Sequence, residues 1–574
     1  MTSLVDERDL IEPELSWPAT TADGIARAAA LEILSAAPRT PTAVLTYEAR
    51  GSLLIVVDDK ARAEALLEAL PGEALRCTFL VAERGRDRVR LGDLGGIDLV
   101  EGRVTHFEGY LGRFLLRVAE DGETRNVARV AGHDREDFDL VLDLGASTLS
   151  TAATPPPGYF APNSEDALRE ALETLPAMVG EFDKPKYFGY NPDICAHASS
   201  HITGCTRCLD ACPTLAIRSL ADRIEVDPFL CQGGGICATA CPTGAITYQY
   251  PRVSDVLEKL RRALRRYHDE DGRGPWLLVL DDALGREIAA GVVDRISESV
   301  LPLFVEEVGS LGMDAWLAAL CYGAHGLSIA CTPALTEPVR EELGHQVEIA
   351  NTLLNALGFP ADRIRMLEAA ADTSWWTELP PDTREQVVTP TGFAALDEKR
   401  TTLRLALDHL YENAPRSPQR VALPAGSPFG EIDVDAGKCT LCMACVSVCP
   451  ASALHDGDDL PKLQFVENNC VQCGICERAC PEDAITLKPL YTYDSDKRSS
   501  KRTLNEEKPF LCARCGKPFT TEKMMHRIRS KLAGHWMYQD PVQLKRLEMC
   551  EDCRVEDLFL KSGSLDAFDD PAKH

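Results

Sequence analysis

Residues 437–485, GKCTLCMACVSVCPASALHDGDDLPKLQFVENNCVQCGICERACPEDAI, carry eight cysteines in two copies of one spacing, C-x-x-C-x-x-C-x-x-x-C-P. The copies are Cys439, Cys442, Cys445, Cys449-Pro450 and Cys470, Cys473, Cys476, Cys480-Pro481. Thiolate sulfur is a soft ligand suited to iron in cubane-type iron–sulfur clusters. Three closely spaced sulfurs wrap one cube, and the fourth cysteine of each copy reaches the other cube. The spacing therefore predicts one 4Fe-4S cluster on Cys439, Cys442, Cys445 and Cys480, and a second on Cys470, Cys473, Cys476 and Cys449. Closed zinc sites also use paired cysteines, but this doubled pattern fits them poorly.

A variant of the same pattern lies upstream, in CAHASSHITGCTRCLDACP (195–213) and CQGGGICATACP (231–242). The first half has Cys205, Cys208 and Cys212-Pro213, with Ile202 where the leading cysteine belongs. Cys195, seven residues before Ile202, is the favoured substitute, with His197, His201 or no fourth protein ligand as alternatives. The second half has Cys231, Cys237 and Cys241-Pro242, with Gly234 at the second cysteine position. Crossing the ligands as above groups Cys205, Cys208, Cys241 and Cys195 on one cluster and Cys212, Cys231 and Cys237 on another. Three cysteines suit a 3Fe-4S cluster, or a 4Fe-4S cube whose fourth iron carries a non-cysteine ligand. A decayed site kept only for packing is the bland alternative.

Farther on, LCARCG (511–516) and MCEDC (549–553) contribute Cys512, Cys515, Cys550 and Cys553. Two C-x-x-C knuckles around a helical segment predict a closed tetrahedral site for one structural zinc, with a single iron as the alternative. Nearby Lys517, Lys523, Arg527, Arg529 and Lys531 read as a solvated helix face or a docking patch for an acidic partner. Of 22 cysteines, only Cys77, Cys321 and Cys331 fall outside these groups.

The 574 residues are enough for several domains, and 45% apolar composition allows each a core. Lys and Arg number 61 against 89 Asp and Glu, a formal charge of -28, which argues against nucleic acid as the main partner. The N-terminal stretch MTSLVDERDLIEPELSW resembles neither a secretory signal nor a basic transit segment, and no run of apolar residues is long enough to span a membrane. A cytoplasmic setting is expected, where clustered cysteines serve metals rather than disulfides.

The elements that must hold these sites read as follows. Strands at 41–58 and 76–81 flank a helix at 59–70, and residues 98–145 alternate as a small, mostly antiparallel β region. Residues 153–164 read as a linker or turn-rich segment, followed by a helix near 165–177. From 252 to 415, strands (PWLLVLDD, LPLFVEEV, HGLSIAC) alternate with helices at 252–270, 283–296, 312–321, 337–357 and 402–414, the pattern of an α/β domain with a parallel sheet. Residues 415–430 read as linker. The expectation is a multidomain chain, α/β and α+β: residues 1–150 (α/β plus a β-rich part), a variant dicluster ferredoxin module at 183–250, the α/β domain at 252–415, a bacterial dicluster ferredoxin module at 430–490 and a zinc-ribbon-like four-cysteine domain at 505–560.

Across about 275–370, WLLVLDD, the Gly323-Ala324-His325-Gly326 turn and the segment GFPADRIR resemble the delta subunit of methyl-viologen-reducing hydrogenase, a family that passes electrons toward heterodisulfide reductase. That resemblance implies a 2Fe-2S cluster on several cysteines. Cys331 stands at one such position, but EEVGSLG and ALTEPV supply no others, which counts against the cluster and leaves Cys321 as a packed core residue. Residues 101–118, EGRVTHFEGYLGRFLLRV, with the module that follows, resemble part of the A-type iron–sulfur subunit of heterodisulfide reductase. That subunit is a flavoprotein, yet no G-x-G-x-x-G follows a strand here, so no flavin is expected in this chain.

The resulting expectation is an iron–sulfur electron-transfer subunit with three or four 4Fe-4S clusters, one of them 3Fe-4S in the alternative, and one zinc. It would serve a partner oxidoreductase, either a flavoprotein or a molybdenum enzyme, such as formate dehydrogenase, hydrogenase or a heterodisulfide-reductase-like enzyme. A homo-oligomer is compatible with the sequence. Two other classes stand beside it: an oxidoreductase with its own flavin or open-cluster substrate site, and a maturation or scaffold protein for a metalloenzyme. No residue is nominated as catalytic.

Overall fold

The computed structural model describes residues 15–36, 42–70, 75–82, 88–370, 374–379, 388–394, 398–457, 460–532, 534–536 and 540–561. These form two compact units. One takes in the described residues up to Pro192 with Arg207–Leu220 and Ile224–Pro415; the other takes in Asp193–Thr206, Ala221–Arg223 and those from Arg416 onward.

In the first unit, the apolar run SLLIVV becomes the strand Ser52–Val57, buried on both faces. Its alternate side chains separate two cores: Leu53, Ile55 and Val57 pack with Phe79 and Val81, while Leu54 and Val56 pack with Leu80, Phe114 and Phe138. A strand covered on both faces reads as continuous apolar sequence rather than alternation. The sheet around it has six strands in the order Tyr159–Phe160, Leu140–Asp143, Ser52–Val57, Arg76–Ala82, Ile97–Gly102, Arg90–Leu94. All neighbours run parallel except the last pair. This revises the reading of 98–145 as one mostly antiparallel region. Only Val104–Tyr110, Arg113–Glu120 and Glu123–Asn126 form such a sheet, whereas Ile97–Gly102 and the wholly buried Leu140–Asp143 join the parallel strands. The supposed linker at 153–164 likewise contributes Tyr159–Phe160 to the sheet edge.

The middle of the chain forms a four-stranded, all-parallel sheet ordered Val300–Val305, Trp276–Asp281, Gly326–Cys331, Ile364–Glu368. The helices Val253–Asp269, Met313–Cys321, Glu337–Ala356 and Lys399–Glu412 belong to the same region. The expected helix at 283–296 stops at Ala290, before Gly291. The residues beyond it turn to another task, holding the helix Ala22–Ala36, which packs on Val253–Asp269 and on Val300–Val305 rather than on the N-terminal sheet. Buried Arg27 donates to the carbonyls of Ser297, Val300 and Pro18 at 3.1, 3.3 and 2.7 Å. The Glu298 carboxylate accepts from the backbone N–H and hydroxyl groups of both Thr20 and Thr21. These bonds hold the Glu298 carboxyl down to about 2. A depressed carboxyl contributes stability above its ordinary range and loses it as pH falls through the folded value. Glu298→Ala is expected to cost about 1 kcal/mol, the scale of a lost helix cap, and to speed hydrogen exchange selectively in Ala22–Ala36.

In the second unit, Arg420–Ala422 and Gly430–Val434 pair antiparallel with Ile485–Thr492, so part of the expected linker at 415–430 is an edge strand. Leu454–Gly457, Leu460–Phe465 and Arg502–Glu506 form a second sheet. The hairpin Pro509–Leu511/Pro518–Thr521 leads into the helices Glu522–Leu532, Pro541–Leu547 and Glu551–Lys561. The segment Asp193–Thr206 is a small hairpin, with Ala198–Ser199 paired to Ile202–Thr203. Among the described residues, no helix is long and apolar enough to cross a membrane.

Candidate metal centres

Within 430–490, each ligand loop turns through left-handed backbone. Leu441 and Met443 have φ of 56° and 60°, Gln472 and Gly474 of 53° and 79°. Such turns coil a short loop so that successive sulfurs converge, and short helices start at once, Ala444–Ser447 and Ile475–Arg478. One cavity is lined by Cys439, Cys442, Cys445 and Cys480. Another is lined by Cys449, Cys470, Cys473 and Cys476. The backbone N–H groups of Ala453 and Ala484 donate to the sulfurs of Cys449 and Cys480 at 3.3 and 3.4 Å, and the Gln472 amide donates to Cys470 at 3.3 Å. Burial pushes the Cys445 thiol up to about 12 and that of Cys473 up to about 11. A bare thiolate at Cys445 or Cys473 is therefore disfavoured.

In the first unit, protein packed around Cys237 pushes its thiol well above the usual range, and Cys231, Cys212, Cys208 and Cys241 add to the effect, so five sulfurs share one neighbourhood. Gly233 and Gly235, with φ of 83° and 69°, lie against the Tyr187 ring and the Ser310 backbone, where a Cβ would come within 2.8 and 2.5 Å. Gly234 between them differs: a Cβ there meets nothing within 4 Å. Lys184 comes from Gly180–Pro185, the strand paired with Val44–Ala49, and donates to the carbonyls of Cys231 at 2.8 Å and Phe229 at 3.0 Å. Burial lowers this ammonium to about 8, opposed by Cys231 and Asp227. Lys399 donates to the carbonyls of Ala238 and Thr239 at 2.8 and 2.6 Å. Burial raises the Cys241 thiol, but Lys399 and the Thr243 hydroxyl together hold it below its ordinary value.

Cys195 and Cys205 belong to the second unit, as do His197 and His201. His197 is buried, 2% exposed, and its Nδ1 lies 2.9 Å from the Cys205 carbonyl oxygen. His201 is at the surface, its ring 3.9 Å from Asp222. This hairpin seats on the 430–490 module: the Arg478 guanidinium donates to the Thr203 carbonyl, and a Cβ at Gly204 would lie 2.4 Å from Ile475.

At the C-terminal end, the sulfurs of Cys512, Cys515, Cys550 and Cys553 all lie within 4.8 Å of one another, and only Cys515 is exposed. Cys512 accepts from the backbone N–H groups of Cys550 at 3.2 Å and Arg514 at 3.4 Å. Against burial, which raises it, such N–H groups hold the Cys512 thiol down to about 6, while burial and the neighbouring sulfurs push Cys553 up to about 12. Four converging sulfurs fit a tetrahedral metal ion. Three of the basic residues noted here have partners within this unit. Lys523 donates to the carbonyls of Ala436 and Cys439 at 2.7 and 3.0 Å, Arg527 pairs with Glu482, and Arg529 pairs with Glu548 at 2.9 Å.

The scattered cysteines lie apart from these groups. Cys321 is fully buried beside the Ala406 carbonyl, and Cys331, at its strand's end, beside that of Ile329. Cys77 is half-buried in Arg76–Ala82. Lys184, Lys399, Lys523 and Gln472 are the residues of these sites that sequence reading missed or left to the surface, because long-range contacts leave no local spacing to find.

Residues 438–485 match the family model for the 4Fe-4S dicluster domain, and residues 224–247 match that for the 4Fe-4S binding domain. The chain is 41% identical over 49 residues to Ferredoxin-1 of Caulobacter vibrioides, covering 8% of this chain and 42% of that protein. It is 40% identical over 42 residues to Ferredoxin 7Fe of Hydrogenibacillus schlegelii, covering 7% and 51%. It is also 35% identical over 57 residues to an archaeal-type glutamate synthase (NADPH) of Thermotoga maritima, covering 10% and 11%. The chain thus spans between about a tenth and a half of these relatives' lengths. Two ferredoxin-type segments of the 4Fe-4S kind make this an iron–sulfur protein with an electron-transfer role.

Proposed function

We propose that the chain is an electron-transfer subunit that relays electrons between a partner oxidoreductase and a redox carrier. The observation that carries this reading is the pair of cavities in the 430–490 module, each lined by three cysteines of one motif and the fourth of the other. Cys439, Cys442, Cys445 and Cys480 would hold one 4Fe-4S cluster, and Cys470, Cys473, Cys476 and Cys449 the next. Cys205, Cys208, Cys241 and Cys195 would hold a third, and Cys212, Cys231 and Cys237 a three-iron cluster at Gly234. Bound clusters supply reversible one-electron storage; the chain's own part is to hold sulfur as thiolate, exclude water and donate hydrogen bonds to it. Cys512, Cys515, Cys550 and Cys553 would hold a structural zinc. The partner is a flavoprotein or molybdenum oxidoreductase, with hydrogenase, formate dehydrogenase and heterodisulfide-reductase-like enzymes first in line through the resemblances of 101–118 and 275–370. The setting proposed is cytoplasmic.

Anaerobically purified protein is expected to contain about fifteen irons per chain with matching acid-labile sulfide. Fewer than about ten would overturn the four-cluster arrangement. Co-purification from the native cell identifies the partner.

A second reading, an oxidoreductase with its own small-molecule site, has one observation in its favour. A cavity of about 310 Å³ opens beside the Cys237–Cys241 loop, lined among others by Thr239, Tyr248, Arg252, Asp314 and Lys399. Substrate turnover by the isolated, fully loaded chain would favour it over the relay.

A further inference from the structure

Three lysines far apart in sequence make the same unusual contact. Each projects from an element outside the cysteine motifs and donates to two backbone carbonyls of one cysteine loop. Lys184 grips Phe229 and Cys231, Lys399 grips Ala238 and Thr239 between Cys237 and Cys241, and Lys523 grips Ala436 and Cys439. Lys184 and Lys399 thus hold the two ends of the Cys231–Cys241 loop, and the Cys470 loop has a neutral counterpart, the Gln472 amide, which donates to the Cys470 sulfur and the Glu431 carbonyl.

Fastening a loop needs only a donor, and an amide or hydroxyl provides one at less desolvation cost than an ammonium. Lys184 is 8% exposed, and among the described residues neither it nor Lys399 is in an ion pair, whereas Lys523 Nζ lies 3.6 Å from the Glu507 carboxylate. The charges of Lys184 and Lys399 are thus left to act on what lies across the gripped loop. There, under the function proposed above, sits a cluster on several thiolates, whose negative charge grows by one on reduction. A fixed cation beside it favours the reduced state.

We propose that Lys184 and Lys399 are positioning residues whose charge raises the reduction potential of the cluster beside Cys231 and Cys241 respectively, while the Cys439 site, where Lys523 is paired with Glu507, and the Cys470 site, with Gln472, have no such bias. This rests on the cluster assignments above. It explains why the two unpaired cations come from different parts of the chain, from the strand Gly180–Pro185 and from the helix Lys399–Glu412. Each flanking element sets the poise of the cluster beside its end of the loop.

The test is an EPR-monitored redox titration of the full-length protein and of Lys184→Met and Lys399→Met, each with iron and sulfide analysis. In each variant the reduced-to-oxidised ratio of one cluster at fixed potential is expected to fall at least threefold, a shift of about 28 mV on the one-electron scale of 59 mV per tenfold. The other clusters stay unmoved, and Lys→Arg restores the wild-type value. Lys→Gln keeps a donor without the charge and is expected to shift like Met. A fully loaded Met or Gln variant with unshifted potentials overturns the proposal for that lysine. Loss of the cluster in both variants also overturns it, leaving a purely structural clasp. Wild-type protein lacking the clusters refutes the function proposed above instead, so the two failures are distinct.

Discussion

Replacing Gly234 with cysteine is expected to add one iron per chain and to abolish the EPR signal of an oxidised three-iron cluster. The physical basis is unusual local freedom in a tightly packed loop. A Cβ at Gly234 meets no atom within 4 Å, whereas one at either neighbour collides with Tyr187 or Ser310. Gly233 and Gly235 are also held in left-handed backbone, which disfavours any side chain, and Gly234 is not. The position can therefore take the thiol that the motif in the second module places there. Gly235→Ala is the contrasting control: left-handed strain and overpacking against Ser310 together are expected to cost about 2–4 kcal/mol and to empty the site. Unchanged iron content and an unchanged signal in Gly234→Cys would sink the three-iron assignment. A fully loaded wild-type protein without the three-iron signal would point instead to a cube with one open corner.

Removing the metal from Cys512, Cys515, Cys550 and Cys553 is expected to unfold residues 509–561 while leaving the iron of the cluster sites in place. One buried cluster of this segment consists of Cys512, Met549, Cys550 and Cys553, with Phe519 packed against them, and Met525 and Leu547 are the other buried apolar side chains among its described residues. Without the ion, three of those residues are thiols packed around nothing that binds them, and Met525, Leu547, Met549 and the partly buried Phe519 are too small a core to order the segment by themselves. Zinc held by four thiolates contributes about 10–16 kcal/mol in small zinc domains, so the metal stands in for the missing core. Cys550→Ser or chelator treatment should bring protease sensitivity confined to this region, and metal analysis of untreated protein should give one zinc per chain. Persistent protease resistance after the metal is stripped, or iron in place of zinc, would overturn the assignment.

The two sites differ in how far they were legible from the residues. The cysteine knuckles at 512–515 and 550–553 could be read directly, because metal ligation requires sulfur at short, regular spacing and local chain geometry does the rest. The absence of a cysteine at Gly234 was equally plain. The consequence of that absence was not, since the collisions at Gly233 and Gly235 depend on Tyr187 and Ser310, which are far away in the chain. Secondary structure followed the same division. The wholly apolar strand Ser52–Val57 and the alternating helices and strands of 252–368 were readable from periodicity, which is a local property. The parallel partners of Ile97–Gly102 and Leu140–Asp143 were not, because a short apolar run carries no record of which strand it will lie beside.

What the amino-acid sequence determined by itself is the chemistry: nineteen clustered cysteines, their crossed spacing, the one position where a sulfur is missing and an acidic composition at odds with nucleic acid. What only the tertiary structure decided is the environment of that chemistry. It brought Lys184 and Lys399 onto the two ends of the Cys231–Cys241 loop and Lys523 onto the Cys439 loop, buried His197 against the Cys205 carbonyl and left Gly234 beside open space. Ligand spacing is written in consecutive residues because a metal site is built on short loops. The charges and hydrogen bonds around it come from elements that meet only when the chain folds, so no local pattern announces them.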